Sequence, residues 1–569
     1  MSEQQGIYGI DLGTTYSVVS YIDETGRPAV VRNTEGEDTT PSVVYFESAD
    51  SIVVGKTAKA SAGSYPDEVV ALIKREMGNK EYSRTFYGRE FSPSSISALI
   101  LGALAESAQE ETNRPVRQVV ITVPAYFGLL EKDATKKAGE IAGLEVIGIV
   151  PEPVAAALSY GVTGSAAGTT FVVYDLGGGT FDATLIKMTD TSVEVLAVDG
   201  NHKLGGADWD RRLFDYFKSQ IIEQTGDDSI EDDEGSLQEL RLLAEETKKA
   251  LTKAESRKVN YRYGGLATTI AVSRDQLKEM TSDLLEETIR ITNRMLDDAD
   301  ARYPGVRAKI SEFLLVGGSS RMPAVGERVG KEYPWTPKIA DPDLAVAKGA
   351  ALYAAGQTVR IVDADAAGDP SGPDGRRPAG SLPSGPVSDA AIAAVAADTG
   401  LSADVVEELA GKTIVNVLPK AVGIRLVDTE LPNWQNLPDE VACYVEHLIP
   451  AQTQLPHRAP DFVAGTSVPN QQKIEMWIWE QDGEVPDRAL AANHPVSDPG
   501  YIEGLGALRL PAGSDINVVF DVDGEGTVNL HAVEPRSGKE LRLSVKIAIM
   551  SDERVAEEKA IVAALRKSM

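Results

Sequence analysis

With 569 residues, 42% of them hydrophobic, the chain is long enough for more than one domain, each with its own apolar core. A formal net charge of −30 argues against nonspecific binding to nucleic acid, and a single cysteine, Cys443, excludes an intramolecular disulfide and suits a reducing compartment. No apolar run approaches the roughly 20 residues of a membrane span, and the N-terminus MSEQQGIYGI lacks a signal-peptide pattern, so we expect a cytoplasmic protein that contacts neither membrane nor nucleic acid.

Residues 1–360 alternate between strand-like and helix-like stretches, which is the pattern of an α/β domain. Strands are predicted at RQVVITVPA (117–125), TTFVVYDL (169–176), SVEVLAVDG (192–200) and EFLLVGG (312–318). Helical spacing of apolar residues predicts helices over 94–111, 129–143, 236–256 and 274–299. The last of these follows Ser273, whose hydroxyl suits an N-cap.

The composition changes after residue 360. Residues 361–387 are rich in Pro, Gly, Ala and Asp, which predicts a flexible linker. Two short helices are predicted within 388–411, each beginning after a serine (Ser388, Ser402) and ending at a glycine (Gly400, Gly411). From 412 to 550 the pattern turns to strands and hairpin turns, which predicts an all-β domain, and 551–569 predicts one short helix.

Two glycine-rich strings, YGIDLGTTYS (8–17) and VYDLGGGTFD (173–182), lie between apolar strands. Glycine weakens a strand, so three in succession indicate that another group must approach the backbone closely. Backbone N–H groups in such turns can bind phosphate, and the nearby aspartates suit a hydrated Mg²⁺. Either string alone is compatible with an ordinary hairpin. The two together favour a nucleotide site between two related halves.

Seven strings occur in this order along the chain: GIDLGTTYS, VVITVPAYF, IAGLEV, PEPVAAALSYG, VYDLGGGTFD, LGGADWD and LLVGGSSRMP. Together they resemble the motifs of the DnaK-type seventy-kilodalton heat-shock chaperone family. Two later strings, LIPAQTQLPHR (448–458) and NVVFDVDGEGTVNLHAVEPRSGKE (517–540), are less strongly similar to its peptide-binding domain. The resemblance implies an α/β actin-like ATPase domain of two lobes, residues 1–360, followed by an all-β sandwich that binds substrate. It also implies ATP or ADP, Mg²⁺ and K⁺ in the cleft between the lobes.

The resemblance carries site roles onto matching residues of this chain. Nucleotide-binding positions are Gly13, Thr14, Thr15, Tyr16, Gly177, Gly178, Gly179, Gly205, Gly206, Glu245, Lys248, Lys249, Thr252, Gly317, Gly318, Ser319, Arg321 and Asp343. Asp11, Asp175 and Asp182 are expected around the Mg²⁺ and K⁺ ions. The positions expected to be catalytic are Lys74, Glu152, Thr180 and Asp182.

Each of these assignments has a structural alternative. A lone lysine such as Lys74 is usually a solvated surface residue, although a cation there could stabilise charge on the γ-phosphate. Glu152 could orient water, but an acid at a helix start is also favoured by the helix dipole. The positions from Glu245 to Thr252 share one helix face and could form only an exposed charged surface.

In the predicted β-domain, the string KIEMWIWE alternates between two faces. Ile474 matches the family's central peptide pocket, and Met476 shares its face, so both are expected to bind substrate. The alternative, that both side chains belong to the domain core, is about as well supported by the pattern.

The sequence departs from the family at three places. Residues 361–411 separate the nucleotide domain from the nearest candidate for the family's apolar linker, Thr413-Ile414-Val415, which argues against strong coupling between the domains. Gly148 stands where the family has the arginine that contacts J-domain cochaperones, and Pro151 also departs, which makes an ordinary J-domain partner doubtful. The family's long helical lid is not expected, because residues 551–569 predict a single short helix as its vestige.

These features predict a slow Mg-dependent ATPase that acts as a lidless chaperone on unfolded or extended polypeptide clients, with a nucleotide exchange factor as a further partner. A nucleotide-gated scaffold or assembly factor dedicated to one protein partner is the alternative. An actin-like filament protein is a third hypothesis, which the second domain disfavours.

Overall fold

The computed structural model describes residues 6–163, 168–366, 387–483, 486–524, 526–545, 550 and 552–566. The helices are, in chain order, α1 Lys56–Ser61, α2 Pro93–Thr112, α3 Leu129–Ile141, α4 Glu152–Thr163, α5 Gly206–Thr225, α6 Glu234–Leu251, α7 Arg274–Met280, α8 Ser282–Arg302, α9 Pro323–Glu332, α10 Ala345–Ala366, α11 Asp389–Thr399, α12 Ala403–Gly411, α13 Asp439–Ala442 and α14 Asp552–Arg566.

The strands up to the end of the second glycine-rich region are β1 Tyr8–Asp11, β2 Tyr16–Ile22, β3 Pro28–Val30, β4 Thr40–Pro41, β5 Val44–Ser48, β6 Ser51–Val54, β7 Val69–Val70, β8 Arg84–Phe86, β9 Arg89–Phe91, β10 Gln118–Val123, β11 Glu145–Pro151, β12 Thr170–Leu176, β13 Phe181–Met188 and β14 Ser192–Asn201. They are followed by β15 Ser256–Tyr263, β16 Leu266–Ser273, β17 Ile310–Val316, β18 Pro337–Ile339, β19 Thr413–Val415, β20 Val422–Val427, β21 Cys443–Ile449, β22 His457–Arg458, β23 Phe462–Gly465, β24 Ile474–Met476, β25 Ile478–Gln481, β26 Asn493–Pro495, β27 Gly500–Ile502, β28 Asp515–Val522, β29 Val528–Glu534 and β30 Lys539–Val545.

Two sheets with the same internal order position the site. The first sheet runs β11-β10-β1-β2-β3, and β4 also pairs with β2. The second sheet runs β18-β17-β12-β13-β14-β19. In each sheet an antiparallel hairpin, β1–β2 or β12–β13, is followed on one side by two parallel strands. The predicted α/β character is confirmed, and the repeated order agrees with two related halves.

Helices cover these sheets and explain their apolar strands. Every residue of β12 is buried, as expected for a strand with helices on both faces. Helices α4 and α10 pack against each other, with α10 against the first sheet and α4 touching the second. Residues of both sheets contribute to the hydrophobic cluster around this helix pair.

Several predicted element boundaries are corrected by the structure. The helix predicted over 274–299 is interrupted at Thr281, whose hydroxyl donates to the carbonyl of Leu277 at 2.8 Å and so competes with helical hydrogen bonding. The helix predicted over 236–256 ends at Leu251, because Ser256 already starts the hairpin of β15 and β16. Helix α10 continues to Ala366, six residues into the predicted linker, and residues 367–386 lie outside the described residues.

The C-terminal β segment, residues 416–545, is built from antiparallel pairs around one core. Its sheets have the orders β21-β20-β25-β26, β22-β28-β29-β30 with β23 beside β28, and β24-β27. The predicted strand KIEMWIWE is divided at Trp477 into β24 and β25, which pair with different strands.

The β segment contacts the N-terminal part of the chain at a junction formed mainly by the start of α3. Leu129 and Leu130 lie in the hydrophobic core of the β segment. The buried carboxylate of Glu480 accepts the backbone N–H of Leu129, at 3.1 and 3.3 Å to its two oxygens. Lys420 of the β segment lies 3.1 Å from Glu131.

A second contact joins the loop after β21 to the second sheet. The Gln452 side chain accepts the Val198 N–H at 3.0 Å and donates to the Val198 carbonyl at 2.6 Å. Arg302 donates to the Gln452 carbonyl at 2.7 Å. Both contacts fix the orientation of the β segment relative to the sheets.

Helix α14 packs against α2 and α3 of the N-terminal part rather than over the β segment. Val562 and Leu565 are buried in the core below the first sheet. Ser92, the N-cap of α2, donates to Glu558 at 2.9 Å, and Arg566 donates to the carbonyl of Ala142 at 2.6 Å.

Candidate functional site

The two glycine-rich hairpins meet tip to tip between the two sheets. A Cβ on Gly178 would lie 1.9 Å from the Thr15 hydroxyl oxygen, and one on Gly179 would lie 2.2 Å from the Thr14 methyl carbon. Contacts this short exclude any side chain at either position. The triple glycine therefore allows the second hairpin to approach the first.

The amino end of α5 supports the second hairpin. The N–H of Gly206 donates to the Gly177 carbonyl at 3.0 Å, and the N–H of Ala207 donates to the Gly178 carbonyl at 2.7 Å. A Cβ on Gly205 would lie 2.5 Å from the Gly179 carbonyl carbon. Gly205 and Gly206 thus lie behind the hairpin and shape it.

Three aspartates, Asp11, Asp175 and Asp182, lie at the hairpin ends of strands β1, β12 and β13. Burial, together with the charge of Glu152, raises the pKa of Asp11 to about 7. Burial and then the charges of Glu152 and Asp11 raise the pKa of Asp175 well above its ordinary value. Thr122 donates to Asp11 at 2.9 Å. The region concentrates negative charge in a place with little water.

Asp182 is 1% exposed, and among the described residues its carboxylate oxygens make no hydrogen bond of good geometry. Burial and the charges of Glu152 and Asp175 raise its pKa well above the ordinary value, and the backbone of Tyr126 opposes this shift only in part. A buried carboxylate without a partner is costly unless a ligand or cation completes it.

Lys74 and Glu152 form the buried ion pair of the cleft. Their Nζ and Oε1 atoms are 2.5 Å apart, and the side chains are 4% and 9% exposed. Lys74 lies on the short 3₁₀ turn Ile73–Glu76, and Glu152 is the first residue of α4. The pair places one cation and one acid beside the three aspartates, so Lys74 is not a solvated surface lysine.

A charged cluster joins the two sides of the cleft at its rim. Lys249 lies 2.7 Å from Glu245, and Tyr16 donates to Glu245 at 3.1 Å. Lys59, which the sequence did not single out, pairs with the same glutamate. Burial opposes ionisation, but Lys59 and Lys249 outweigh it and hold the pKa of Glu245 at about 2.

Arg75 links the two sides deeper in the cleft. Its Nε donates to the Gly179 carbonyl at 2.9 Å, and its Nη2 lies 2.7 Å from Asp208 of α5. Sequence reasoning missed this role, although Arg75 directly follows Lys74. Lys248 joins α6 to α5 instead, with its ammonium 2.8 Å from Asp210 and 2.7 Å from the Gly206 carbonyl.

The opposite wall follows β17. Gly317 has a φ of 78°, and a Cβ there would lie 2.3 Å from Asp175 Oδ1. Arg321 forms an ion pair with Asp343. Glycine at this position lets the wall approach the aspartate closely.

The resulting cleft has a volume of about 930 Å³, within the range of small-molecule sites. Most of the residues predicted to bind nucleotide or metal, or to be catalytic, line it: Asp11, Gly13, Thr14, Thr15, Tyr16, Lys74, Glu152, Asp175, Gly177, Gly178, Thr180, Glu245, Lys248, Lys249, Thr252, Gly317, Gly318, Ser319, Arg321 and Asp343. Gly179, Asp182, Gly205 and Gly206 are not in its lining. Their roles stay predictions, but the structure brings the whole set to one place.

The donor set fits a polyphosphate with a hydrated cation. Glycine turns and threonine residues line the cleft. The positive charge of Lys74 does not offset the burial of Asp175 and Asp182 and the charges of neighbouring acids, so the pKa values of both aspartates stay raised. Among the described residues, no group of three or more His, Cys, Asp or Glu side chains is arranged to ligate a metal directly. An ion there would be held through water, as Mg²⁺ often is.

The two predicted substrate residues lie elsewhere. Ile474 and Met476 are 8% and 5% exposed and belong to the core of the β segment. This placement agrees with the core alternative and leaves peptide binding by these two side chains a prediction.

None of the described helices is long and apolar enough to cross a membrane. Residues 7–86 and 79–359 match the family model described as Hsp70 protein. The match spans more than half of the chain and ends before the β segment. Members of this family are ATPases that bind ATP or ADP with Mg²⁺ and act as chaperones on unfolded polypeptides. The family match and the cleft geometry agree, and the chain belongs to the Hsp70 family.

Proposed function

We propose that this chain binds Mg-ATP between the two glycine hairpins and hydrolyses it slowly. The observation that carries the proposal is the contact between the hairpins beside the buried Lys74–Glu152 pair. On this proposal the N-terminal part is an actin-like domain of two lobes, one for each sheet. The repeated strand order supports that reading.

The chain's own residues would divide the work of hydrolysis. Mg²⁺, when bound, supplies neutralisation of the β- and γ-phosphate charge. Asp11, Asp175 and Asp182 would hold its water shell, with K⁺ nearby. Lys74 would stabilise charge on the γ-phosphate oxygens, and Thr180 would help orient the attacking water. Asp182 would position the same water or accept its proton.

The adenosine would lie between α6 and the turn after β17. Glu245, Lys248, Lys249 and Thr252 offer polar contacts from one side. Arg321, held by Asp343, offers a planar guanidinium from the other.

Single-turnover hydrolysis tests these roles. Lys74→Ala or Thr180→Ala should slow hydrolysis at least about 100-fold while ATP binding persists, because the hairpins and the adenosine walls remain. Lys203→Ala, at an exposed position, serves as the control. Equal loss of binding and turnover would contradict the catalytic assignments.

We further propose that the β segment is a sandwich that holds a polypeptide in a nucleotide-dependent way and works without a helical lid. The junction at Glu480 and the Gln452 contact give it a physical link to the ATPase domain. Among the described residues, α14 lies on α2 and α3 and not over the β segment, which supports this part of the proposal. Fluorescent-peptide dissociation tests this: fast release with both ATP and ADP is expected, and slow release with ADP that ATP accelerates would contradict it.

A scaffold dedicated to one protein partner is the second candidate, favoured by the core placement of Ile474 and Met476. A peptide array distinguishes the two. Binding of many apolar peptides supports the chaperone, and binding of none supports the scaffold. An affinity pull-down with ATP and with ADP would then identify the bound proteins. A dedicated partner or an exchange factor is expected among them, and a J-domain protein is not. Cell fractionation would test the predicted cytoplasmic location.

A further inference from the structure

The two helices of residues 388–411 are fixed to α10. Ile392 and Val406 are buried in the cluster that surrounds α10. A Cβ on Gly356 of α10 would lie 2.8 Å from the Leu409 carbonyl oxygen, so the two backbones touch. Arg360 of α10 donates to the carbonyl of Ala410 at 2.6 Å. Because α10 packs on the first sheet, α12 is held against that sheet through α10.

The turn between α11 and α12 adds a direct contact with the first sheet. Gly400 has a φ of 74°, and a Cβ on it would lie 2.8 Å from the carbonyl oxygen of Glu24. Gly26 makes the reciprocal approach to the carbonyl oxygen of Gly400. Glu24 and Gly26 lie in the turn that joins β2 to β3. The helix pair is therefore attached to the first sheet at two places.

The next segment is attached to the second sheet. Thr413 donates its N–H to the Thr191 carbonyl at 2.9 Å, and β19 pairs in parallel with β14. Gly411 is the last residue of α12, so Lys412 alone lies between the helix and the strand. The N–H of Lys412 donates to the Glu408 carbonyl at 3.0 Å, and its ammonium lies 2.6 Å from the Glu408 carboxylate. One extended residue adds at most about 3.6 Å of reach, so the connection has no slack.

These attachments lie at the ends of the strands remote from the glycine hairpins. The first hairpin leads into β2 at Tyr16, and β2 ends at Ile22, next to the turn that touches Gly400. The second hairpin leads into β13 at Phe181, and Ser192 after the following turn pairs with Thr413. Residues 388–415 thus cross from one sheet to the other at the base of the cleft.

We propose that residues 388–415 form a strap that restricts the motion of the two sheets relative to each other and thereby slows nucleotide release. Exchange of the nucleotide requires the two sides of the cleft to move relative to each other, and a connection without slack that is docked on both sheets restricts that motion. The inference rests on the proposed nucleotide site and adds a structural element that sets the rate of nucleotide release. It assigns a role to residues 388–411, which lie outside the strings that carry the family resemblance.

Lengthening the strap tests the proposal in the full chain. Insertion of Gly-Ser-Gly-Ser between Gly411 and Lys412 leaves both attachments in place but introduces slack between them. We expect release of a fluorescent ADP analogue, followed by stopped flow, to accelerate at least about fivefold. The same insertion after Gly538, whose Cβ direction is open in the turn between β29 and β30, should leave the rate unchanged.

A point substitution gives a second test. Gly400→Ala places a methyl group against the Glu24 carbonyl and should accelerate release, whereas Gly513→Ala, at a φ of 76° with open space, has the same backbone strain without the contact. Release at the wild-type rate in both the lengthened chain and Gly400→Ala would overturn the strap. If the wild-type protein bound no nucleotide, the proposed function itself would fail, which is a distinct result.

Discussion

Asp182, behind the lining of the cleft, and Glu480 at the junction are both buried acids, but their surroundings differ. The Asp182 oxygens make no hydrogen bond of good geometry among the described residues, and burial with neighbouring acids raises its pKa. Burial also opposes the charge of Glu480, but Lys420, His494 and the Leu129 N–H outweigh it and lower its pKa. A carboxylate left without compensation indicates a site that a ligand completes, whereas a compensated one indicates a structural contact.

The largest expected effect tests the cleft side of this comparison. Asp182→Asn should slow ATP hydrolysis at least about 100-fold, because it removes the carboxylate that we propose positions water and cation. The unfolding temperature of the nucleotide-free protein should stay the same or rise, because a costly buried charge is removed. Asp190→Asn, in the exposed turn after β13, is the matched control for hydrolysis and melting. Normal hydrolysis in Asp182→Asn would show that the buried Asp182 carboxylate is not needed for catalysis.

At the junction, substitution of the buried acid should lower stability and leave hydrolysis largely unchanged. Glu480→Gln should lower the free energy of unfolding by about 1–3 kcal/mol, because the amide replaces a charged acceptor beside Lys420. Hydrolysis measured well below the melting temperature should change much less than in Asp182→Asn. Differential scanning calorimetry gives the first quantity and single-turnover kinetics the second. A stability equal to that of the wild type would show that Glu480 is not a compensated structural acid.

The pH dependence of the stability difference between wild type and Glu480→Gln gives a finer test. The folded pKa of Glu480 is lowered from 4.5, so its stabilisation is present above that value and is lost as the pH falls through the folded pKa. The gap in unfolding temperature between wild type and Glu480→Gln should stay constant near neutral pH and narrow below about pH 4.5. A gap that widens in acid would reverse the sign and contradict the assignment.

The smallest expected effect concerns Glu245 at the rim of the cleft. This acid is compensated by lysines, as Glu480 is, but it lies at the proposed nucleotide site. Lys59→Met removes one cation that holds Glu245 across the cleft. Nucleotide release should accelerate a few-fold, in line with the modest energy of a partly exposed ion pair. Glu246 lies on the same helix as Glu245 and pairs with Arg257 of β15, and the two side chains are 67% and 29% exposed. Glu246→Gln should leave the rate unchanged. Stopped-flow release measures both.

The parts of the cleft that are formed by continuous stretches of sequence could be predicted from the local pattern of glycine and apolar residues. The hairpins, their flanking strands and Asp11, Asp175 and Asp182 follow from glycine and apolar spacing within each string. Lys59 could not be found this way, because its partner Glu245 lies 186 residues away and only the folded chain brings them together. The same holds for Leu129 and Leu130, whose burial partners belong to the β segment.

Other misses had a usable signal. The hairpin of β15 and β16 turns at Gly264-Gly265 between alternating polar and apolar residues, a pattern that favours a two-residue turn. The interruption at Thr281 had no comparable signal, because threonine is tolerated within helices and its effect depends on which carbonyl the hydroxyl reaches.

The docking of α14 on α2 and α3 has a consequence for the β segment, which is held to the N-terminal part at both of its ends. β19 anchors the beginning and α14 anchors the end. If the junction at Glu480 opens, the β segment stays tethered as a closed loop, and its effective concentration at the vacated surface remains of the order of millimolar. A free copy of the β segment, added at micromolar concentration, should therefore fail to displace the tethered one.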